Sequence, residues 1–132
     1  MRRWSLLAER LAATSRTSEK TALLAGYFRS LEAAELPIAA VFLTGRAFPE
    51  ADQRATGIGW AAISQAITVV APVTRADLAE AYDRTSDLGL AVADALTLAG
   101  HAPLPESSPS LPDVAEAFAA IEIASGPARK SA

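Results

Sequence analysis

Residues 36–67 read LPIAAVFLTGRAFPEADQRATGIGWAAISQAI, and this stretch decides the fold. Its first part is apolar on every side, which predicts a short helix buried in a core. Pro37 stands where a first helical turn tolerates proline, and Gly45 stands where a helix ends. After a polar loop, Thr56 is placed to cap a second helix whose first turn contains Gly57 and Gly59. The stretch therefore predicts two helices joined by a polar loop.

The two glycines allow two interpretations. Glycine in a first turn weakens a helix by about 1 kcal/mol relative to alanine. Bare backbone at the positive end of a helix allows an anion to approach closely. The other interpretation is that Gly57 and Gly59 only let helices pack, and the two glycines taken alone favour it.

The composition predicts one soluble all-α domain. The chain has 132 residues, of which 51% are hydrophobic and 20% are charged. Alanine and leucine dominate, which favours helix over sheet. There is no cysteine, and the only histidine, His101, lies in a Gly/Pro loop, so no metal site is predicted. No apolar run is long enough to span a membrane, and we therefore expect a cytoplasmic protein with no membrane partner.

Charge is divided unevenly along the chain. The first thirty residues carry six Lys or Arg against Glu9 and Glu19, which gives +4. The other residues carry six Lys or Arg against thirteen Asp or Glu, which gives −7. A basic end on an acidic body is compatible with nucleic-acid binding, although the acidic total argues against a generic binder.

The rest of the chain predicts five further helices, giving seven in all. Thr17 is placed to cap the helix of residues 18–31, in which Leu24 and Phe28 are expected to be deeply buried. Residues 68–71 are expected to be a loop packed on the core, and Tyr82 is expected to point inward. Thr74 with Asp77 and Ser110 with Asp113 are predicted to cap two later helices. A third is predicted over residues 88–98, where residues 85–87 (Thr-Ser-Asp) restart the chain. Residues 101–110 are rich in proline and serine and are predicted to link two helices.

The end of the chain repeats a segment near its start. Residues 11–22 read LAATSRTSEKTA, and residues 121–132 read IEIASGPARKSA. Ser15 aligns with Ser125 and Lys20 with Lys130. In the first copy the segment contains a helix end, a turn and the start of the next helix. We therefore expect a turn and a helix start in the second copy as well.

Several segments together resemble the N-terminal DNA-binding domain of ATP-dependent DNA ligases. The resemblance depends on four short patterns in this order: Ser-x-x-x-Glu-Lys from Ser15, Leu-x-Gly-x-x-x-Pro from Leu43, Gly-x-Gly-Trp from Gly57 and Asp-Leu-Gly from Asp87. That family domain is all-helical with two similar halves. The resemblance implies that residues 1–132 form the first half and the start of the second half of such a domain.

The resemblance also implies where DNA would be held. The family domain grips nicked duplex DNA through the minor groove, mainly by backbone and phosphate contacts. The segment containing Ser125, Gly126, Arg129 and Lys130 resembles a phosphate-contacting helix start. Through the repeat of residues 11–22 and 121–132, Arg16 and Lys20 form a second candidate site. The glycine turn with Gly57 and Gly59 is a third candidate, for which the alternative is a purely structural role.

No catalytic residues are predicted. The resemblance assigns adenylation to a Lys-x-Asp-Gly motif that these 132 residues lack. It implies ATP and magnesium for separate nucleotidyltransferase and OB domains, which would be the partners of this chain in DNA repair, replication and recombination. We expect that the chain alone does not join DNA. The alternative is a helical protein–protein adaptor that does not bind nucleic acid.

Overall fold

The structure is a computed structural model that describes residues 1–52, 54–101 and 108–130, with the backbone alone described for 125–130. Over these residues it contains seven α-helices and no strand, which confirms the predicted all-α class. The helices are α1 (Arg2–Ala12), α2 (Thr17–Arg29), α3 (Leu36–Leu43), α4 (Trp60–Val70), α5 (Arg75–Thr85), α6 (Leu88–Leu98) and α7 (Leu111–Lys130).

The chain divides into two compact units. The first comprises Met1–Gly57 and Ser108–Ala132, and therefore contains α1, α2, α3 and α7. The second comprises Ile58–Ser107 and contains α4, α5 and α6. Each unit has its own apolar core. Most of the linker predicted at residues 101–110 lies outside the described residues.

Phe42 of α3 is central to the core of the first unit. Its ring packs edge to face against Trp4 of α1 and Phe118 of α7, at centroid distances of 6.4 and 5.6 Å. Edge-to-face packing is a favourable arrangement of aromatic rings. The other buried members of this core are Leu7, Tyr27, Ala39 and Leu111. The core of the first unit therefore forms where α1, α2 and α7 pack against the buried side of α3.

The orientation of α2 differs from the prediction. Tyr27 is the buried residue of this helix, whereas Leu24 and Phe28 are only partly buried. The prediction that Leu24 and Phe28 are deeply buried is therefore wrong. The apolar stripe of α2 is so wide that several rotations of the helix about its axis would bury apolar surface, and packing against α1 determines which rotation occurs.

Helix α3 ends at the predicted glycine, but it is not buried on every side as predicted. Gly45 has φ +77°, a left-handed conformation that glycine adopts without strain, and its N–H donates to the carbonyl of Phe42 at 3.0 Å. However, Leu36 and Ala40 are exposed. Only the side that carries Ala39 and Phe42 is buried, because packed neighbours do not surround this helix completely.

Helix starts in both units follow the predicted capping chemistry. In α5, the N–H of Asp77 donates to the Thr74 hydroxyl at 3.1 Å, and the N–H of Thr74 donates to the Asp77 carboxylate at 2.8 Å. At the start of α7, the N–H of Asp113 donates to the Ser110 hydroxyl at 3.2 Å, and the N–H of Ser110 donates to the Asp113 carboxylate at 2.8 Å. Asp87 caps α6 by accepting from the N–H of Leu90 at 2.8 Å. The two predicted capping pairs are confirmed, and α6 spans the predicted residues Leu88–Leu98.

The two capping boxes predict a loss of stability in acid. The pKa of Asp77 and that of Asp113 lie below the ordinary 3.8, chiefly because the backbone N–H of Thr74 or Ser110 donates to the charged carboxylate. A lowered pKa in the folded state stabilises the protein above pH 3.8, and this stability is lost as the pH falls through the folded-state pKa. We expect the thermal midpoint of the double variant Asp77→Asn/Asp113→Asn to fall less than that of the wild type between about pH 5 and pH 2. Identical pH profiles of the two proteins would contradict this assignment.

Two other predicted helix starts are wrong. Thr17 is the first residue of α2 rather than its cap; Arg16 holds the N-cap position, and no side chain caps the helix. Likewise, α4 begins at Trp60 with Gly59 as its N-cap, so that Gly57 and Gly59 precede the helix instead of forming its first turn. Gly57 has φ +65°, and this backbone conformation accounts for a glycine before the helix.

The apolar residues after Ile67 continue α4. Thr68, Val69 and Val70 are helical, and the loop predicted for residues 68–71 is therefore wrong. Ala71 ends the helix and is buried. Pro72 excludes the helical conformation from the residue before it, which places the helix end at Ala71.

Small residues bring α5 and α6 together in the second unit. Ala81 and Ala91 are fully buried, and Ala95 is 4% exposed. Leu78 fills the space between them with 1% of its surface exposed. Tyr82, expected to point inward, is 42% exposed and packs edge to face on Trp60 at 5.6 Å. Short side chains at this contact let the helices approach closely and leave Tyr82 at the edge.

Within the described residues, the helices are too short or too polar to span a membrane.

Candidate nucleic-acid interface

A basic groove runs between α1 and α2 in the first unit. It has a volume of about 370 Å³. α1 contributes two arginines and two leucines, and α2 contributes small, apolar and hydroxyl residues. The lining residues are Arg3, Leu6, Leu7, Arg10, Ala22, Leu23, Gly26, Tyr27 and Ser30.

Two guanidinium groups face this groove from α1. Arg3 Nη2 donates to the hydroxyl of Ser30 at 2.5 Å, which positions the Arg3 side chain across the groove. Arg10 makes no ion pair or side-chain hydrogen bond with the described residues. Seven residues separate them, which corresponds to two helical turns and about 10.5 Å along α1. The groove thus presents two spaced positive charges on one wall.

The wall that α2 forms is apolar and has short side chains, and the floor of the groove is apolar as well. Leu7 and Tyr27 are buried beneath the groove, and burial raises the pKa of the Tyr27 phenol, an effect that the nearby charge of Arg3 partly opposes. Ala22 and Gly26 form the α2 wall, and a methyl group added at Gly26 would meet no atom within 4 Å. Because the side chains on this wall are short, a bulky ligand can approach α2 closely.

The groove continues toward the start of α2. An adjoining cavity of about 500 Å³ shares Arg10, Ala22 and Leu23 with the groove and adds Ala13, Thr14 and Glu19. Because the two spaces share three lining residues, they form one continuous depression along α1 and α2.

Among the residues that the structure describes, Glu19 is the only acidic one that lines this depression. Its carboxylate accepts from the Thr14 hydroxyl at 2.5 Å and pairs with Arg16 at 3.5 Å. The Arg16 side chain is 77% exposed, so water screens this ion pair strongly. The N–H of Arg16 donates to the Thr14 hydroxyl at 3.2 Å, which ties the loop before α2 to the same carboxylate.

The structure places the predicted site residues in several places. Arg16 lies beside the depression at the start of α2, but Lys20 does not line it and is half-buried. Gly57 belongs to the first unit, and Gly59 belongs to the second unit.

The fourth group of predicted residues lies in α7. Ser125, Gly126, Arg129 and Lys130 all have helical backbone, and α7 continues through Lys130. The predicted turn and helix start at this position are therefore wrong, because the backbone of α7 stays helical through the Gly126-Pro127 pair. The side chains of these four residues lie outside the described part of the structure.

Sequence reasoning missed Arg3 and Arg10. Their spacing, seven residues apart on a helix within the +4 segment, is the signal that could have identified them. This spacing identifies a binding groove only when α2 is known to form the other wall. Among the described residues, no group of His, Asp or Glu is arranged to hold a metal ion.

The fold and groove define an all-helical chain with a basic surface on its first unit. A family model described as "DNA ligase N terminus" matches residues 2–132, and the chain therefore belongs to this family. It is 38% identical to a probable DNA ligase of Opitutus terrae over 98% of its length and 35% identical to a probable DNA ligase of Koribacter versatilis over 93%. A DNA ligase of Methanocella arvoryzae is 38% identical over 64% of the chain.

The chain spans a small part of these relatives, namely 13% of the Opitutus protein, 21% of the Koribacter protein and 15% of the Methanocella protein. No solved structure matches the chain.

Proposed function

We propose that this chain binds duplex DNA without regard to base sequence and serves as the N-terminal DNA-binding part of an ATP-dependent DNA ligase. The observation that carries the proposal is the family match over residues 2–132. In this proposal, sealing of nicks in repair, replication or recombination requires the nucleotidyltransferase and OB domains, with ATP and magnesium. By itself, the chain binds DNA and does not join it.

The distribution of charge supports binding through phosphates. The +4 charge of the first thirty residues lies on the segment that contains α1 and α2. Arginine and helix amides contact phosphate oxygens, and such contacts position a duplex without reading its sequence. The −7 charge of the other residues opposes binding, whereas contacts between the basic segment and phosphates weaken as salt rises, so we expect the affinity to be highest at low salt.

Arg129 and Lys130 remain proposed phosphate contacts. If both touch phosphates, the double variant Arg129→Ala/Lys130→Ala should flatten the slope of log K against log salt by about 2, because each contact contributes about 0.9. It should weaken binding to all duplexes alike. Fluorescence anisotropy with a labelled nicked duplex measures both effects.

The matched control is Arg129→Lys/Lys130→Arg, which keeps both charges and should retain the wild-type slope. An alanine variant with an unchanged slope would remove these two residues from the proposed interface. An adaptor that does not bind nucleic acid would show no salt-dependent binding in either form.

A further inference from the structure

We propose that the groove between α1 and α2 holds the phosphate backbone of one DNA strand, with Arg3 and Arg10 as the binding cations and Glu19 as an internal competitor that limits affinity. The inference rests on the proposed function. It adds the surface on which the duplex lies and a residue that weakens binding there.

The two arginines are available for an external anion. Arg10 has no acidic partner among the described residues, and Arg3 is held only by the neutral hydroxyl of Ser30. A guanidinium has five N–H donors, so the bond to Ser30 leaves several for a phosphate. Their separation of about 10.5 Å along α1 lets the two guanidinium groups contact different phosphates of one strand.

The shape of the groove fits a sugar–phosphate backbone. Leu6 is 51% exposed between the two arginines, and Leu23 lines the opposite wall. These apolar groups can contact sugars while the guanidinium groups contact phosphates. The absence of a side chain at Gly26 leaves room for the strand above α2. No base-reading group is required, which agrees with binding that ignores sequence.

Glu19 interferes with this surface. Its carboxylate lies at the α2 end of the depression and neutralises Arg16, the cation nearest to the start of the helix. A strand that follows the groove past Arg10 brings phosphates toward that carboxylate. Replacing Glu19 by glutamine removes the repulsion and releases Arg16 for a phosphate contact.

The experiment measures binding of a nicked duplex by the chain and four variants over a range of salt concentrations. The test variants are Arg3→Ala/Arg10→Ala and Glu19→Gln. Arg2→Ala/Arg29→Ala is the control for the arginines, because it removes two charges from the same two helices without touching the groove. Glu9→Gln is the control for Glu19, because it removes one acidic charge from α1 outside the depression. Circular dichroism verifies that all variants are helical.

We expect Arg3→Ala/Arg10→Ala to flatten the log–log salt slope by about 2 and Arg2→Ala/Arg29→Ala to leave it nearly unchanged. We expect Glu19→Gln to tighten binding and to steepen the slope by about 0.9, and Glu9→Gln to change the slope little.

Four results would overturn all or part of the proposal in distinguishable ways. If the wild type fails to bind the duplex at low salt, the proposed function fails together with the groove. If the wild type binds but the two arginine variants behave alike, only the groove assignment fails. If Arg3→Ala/Arg10→Ala loses affinity for poly-glutamate but not for the duplex, the groove is a site for an acidic protein partner. Equal effects of Glu19→Gln and Glu9→Gln would remove the role of Glu19 as a competitor.

Discussion

Replacing Phe42 by alanine is expected to destabilise the first unit by about 3–5 kcal/mol. The ring is 7% exposed and contacts Trp4 and Phe118 at once, so its removal leaves a cavity that touches three helices. A loss of this size approaches the whole stability of a small unit, which is of the order of 5 kcal/mol. The variant unit should therefore be largely unfolded at moderate urea concentrations.

The two tryptophans allow each unit to be followed alone. Trp4 lies in the first unit and Trp60 in the second. In a Trp60→Phe background, fluorescence of Trp4 reports urea unfolding of the first unit. Phe28→Ala is the matched control, since it makes the same chemical change at a half-buried position and should cost clearly less. Equal losses at Phe28 and Phe42 would contradict the described core.

Replacing Leu78 by alanine is expected to destabilise the second unit by about 2–5 kcal/mol. Leu78 is 1% exposed and lies in a core with Ile67, Val73 and four buried alanines, so its truncation leaves a cavity in the centre of this unit. In a Trp4→Phe background, fluorescence of Trp60 reports this unit. The control is Leu98→Ala, where the side chain is 74% exposed and the change should remain within about 0.5 kcal/mol. A similar urea midpoint for the two variants would contradict the described packing.

Features that depend on neighbouring residues were predictable from the sequence. The capping pairs of Thr74 with Asp77 and of Ser110 with Asp113 require only a spacing of three residues. Gly45 likewise ends α3 through its own backbone conformation. Such features do not depend on what packs against the helix.

Features that depend on packing between helices were not predictable. The apolar stripe of α2 permits either Tyr27 or Phe28 to face the core, and packing against the other helices of the first unit buries Tyr27. Val69 and Val70 favour strand by propensity, yet they extend α4, where both are exposed.

In the candidate site, too, features within one segment were predictable and features that depend on two helices were not. Arg16 was proposed from the repeat between residues 11–22 and 121–132. Arg3 and Arg10 were not, because they form one wall of a groove only when α2 supplies the other. A groove is a property of two helices, and its lining depends on how each helix is rotated toward the other.

The central claim is that the chain binds duplex DNA through phosphates and without sequence preference. The most direct measurement is anisotropy titration of two labelled nicked duplexes of unrelated sequence between about 50 and 200 mM salt. We predict equal dissociation constants for the two duplexes at each salt concentration and a linear fall of log K with log salt. Affinities that differ between the two sequences, or binding that does not weaken as salt rises, would contradict the claim.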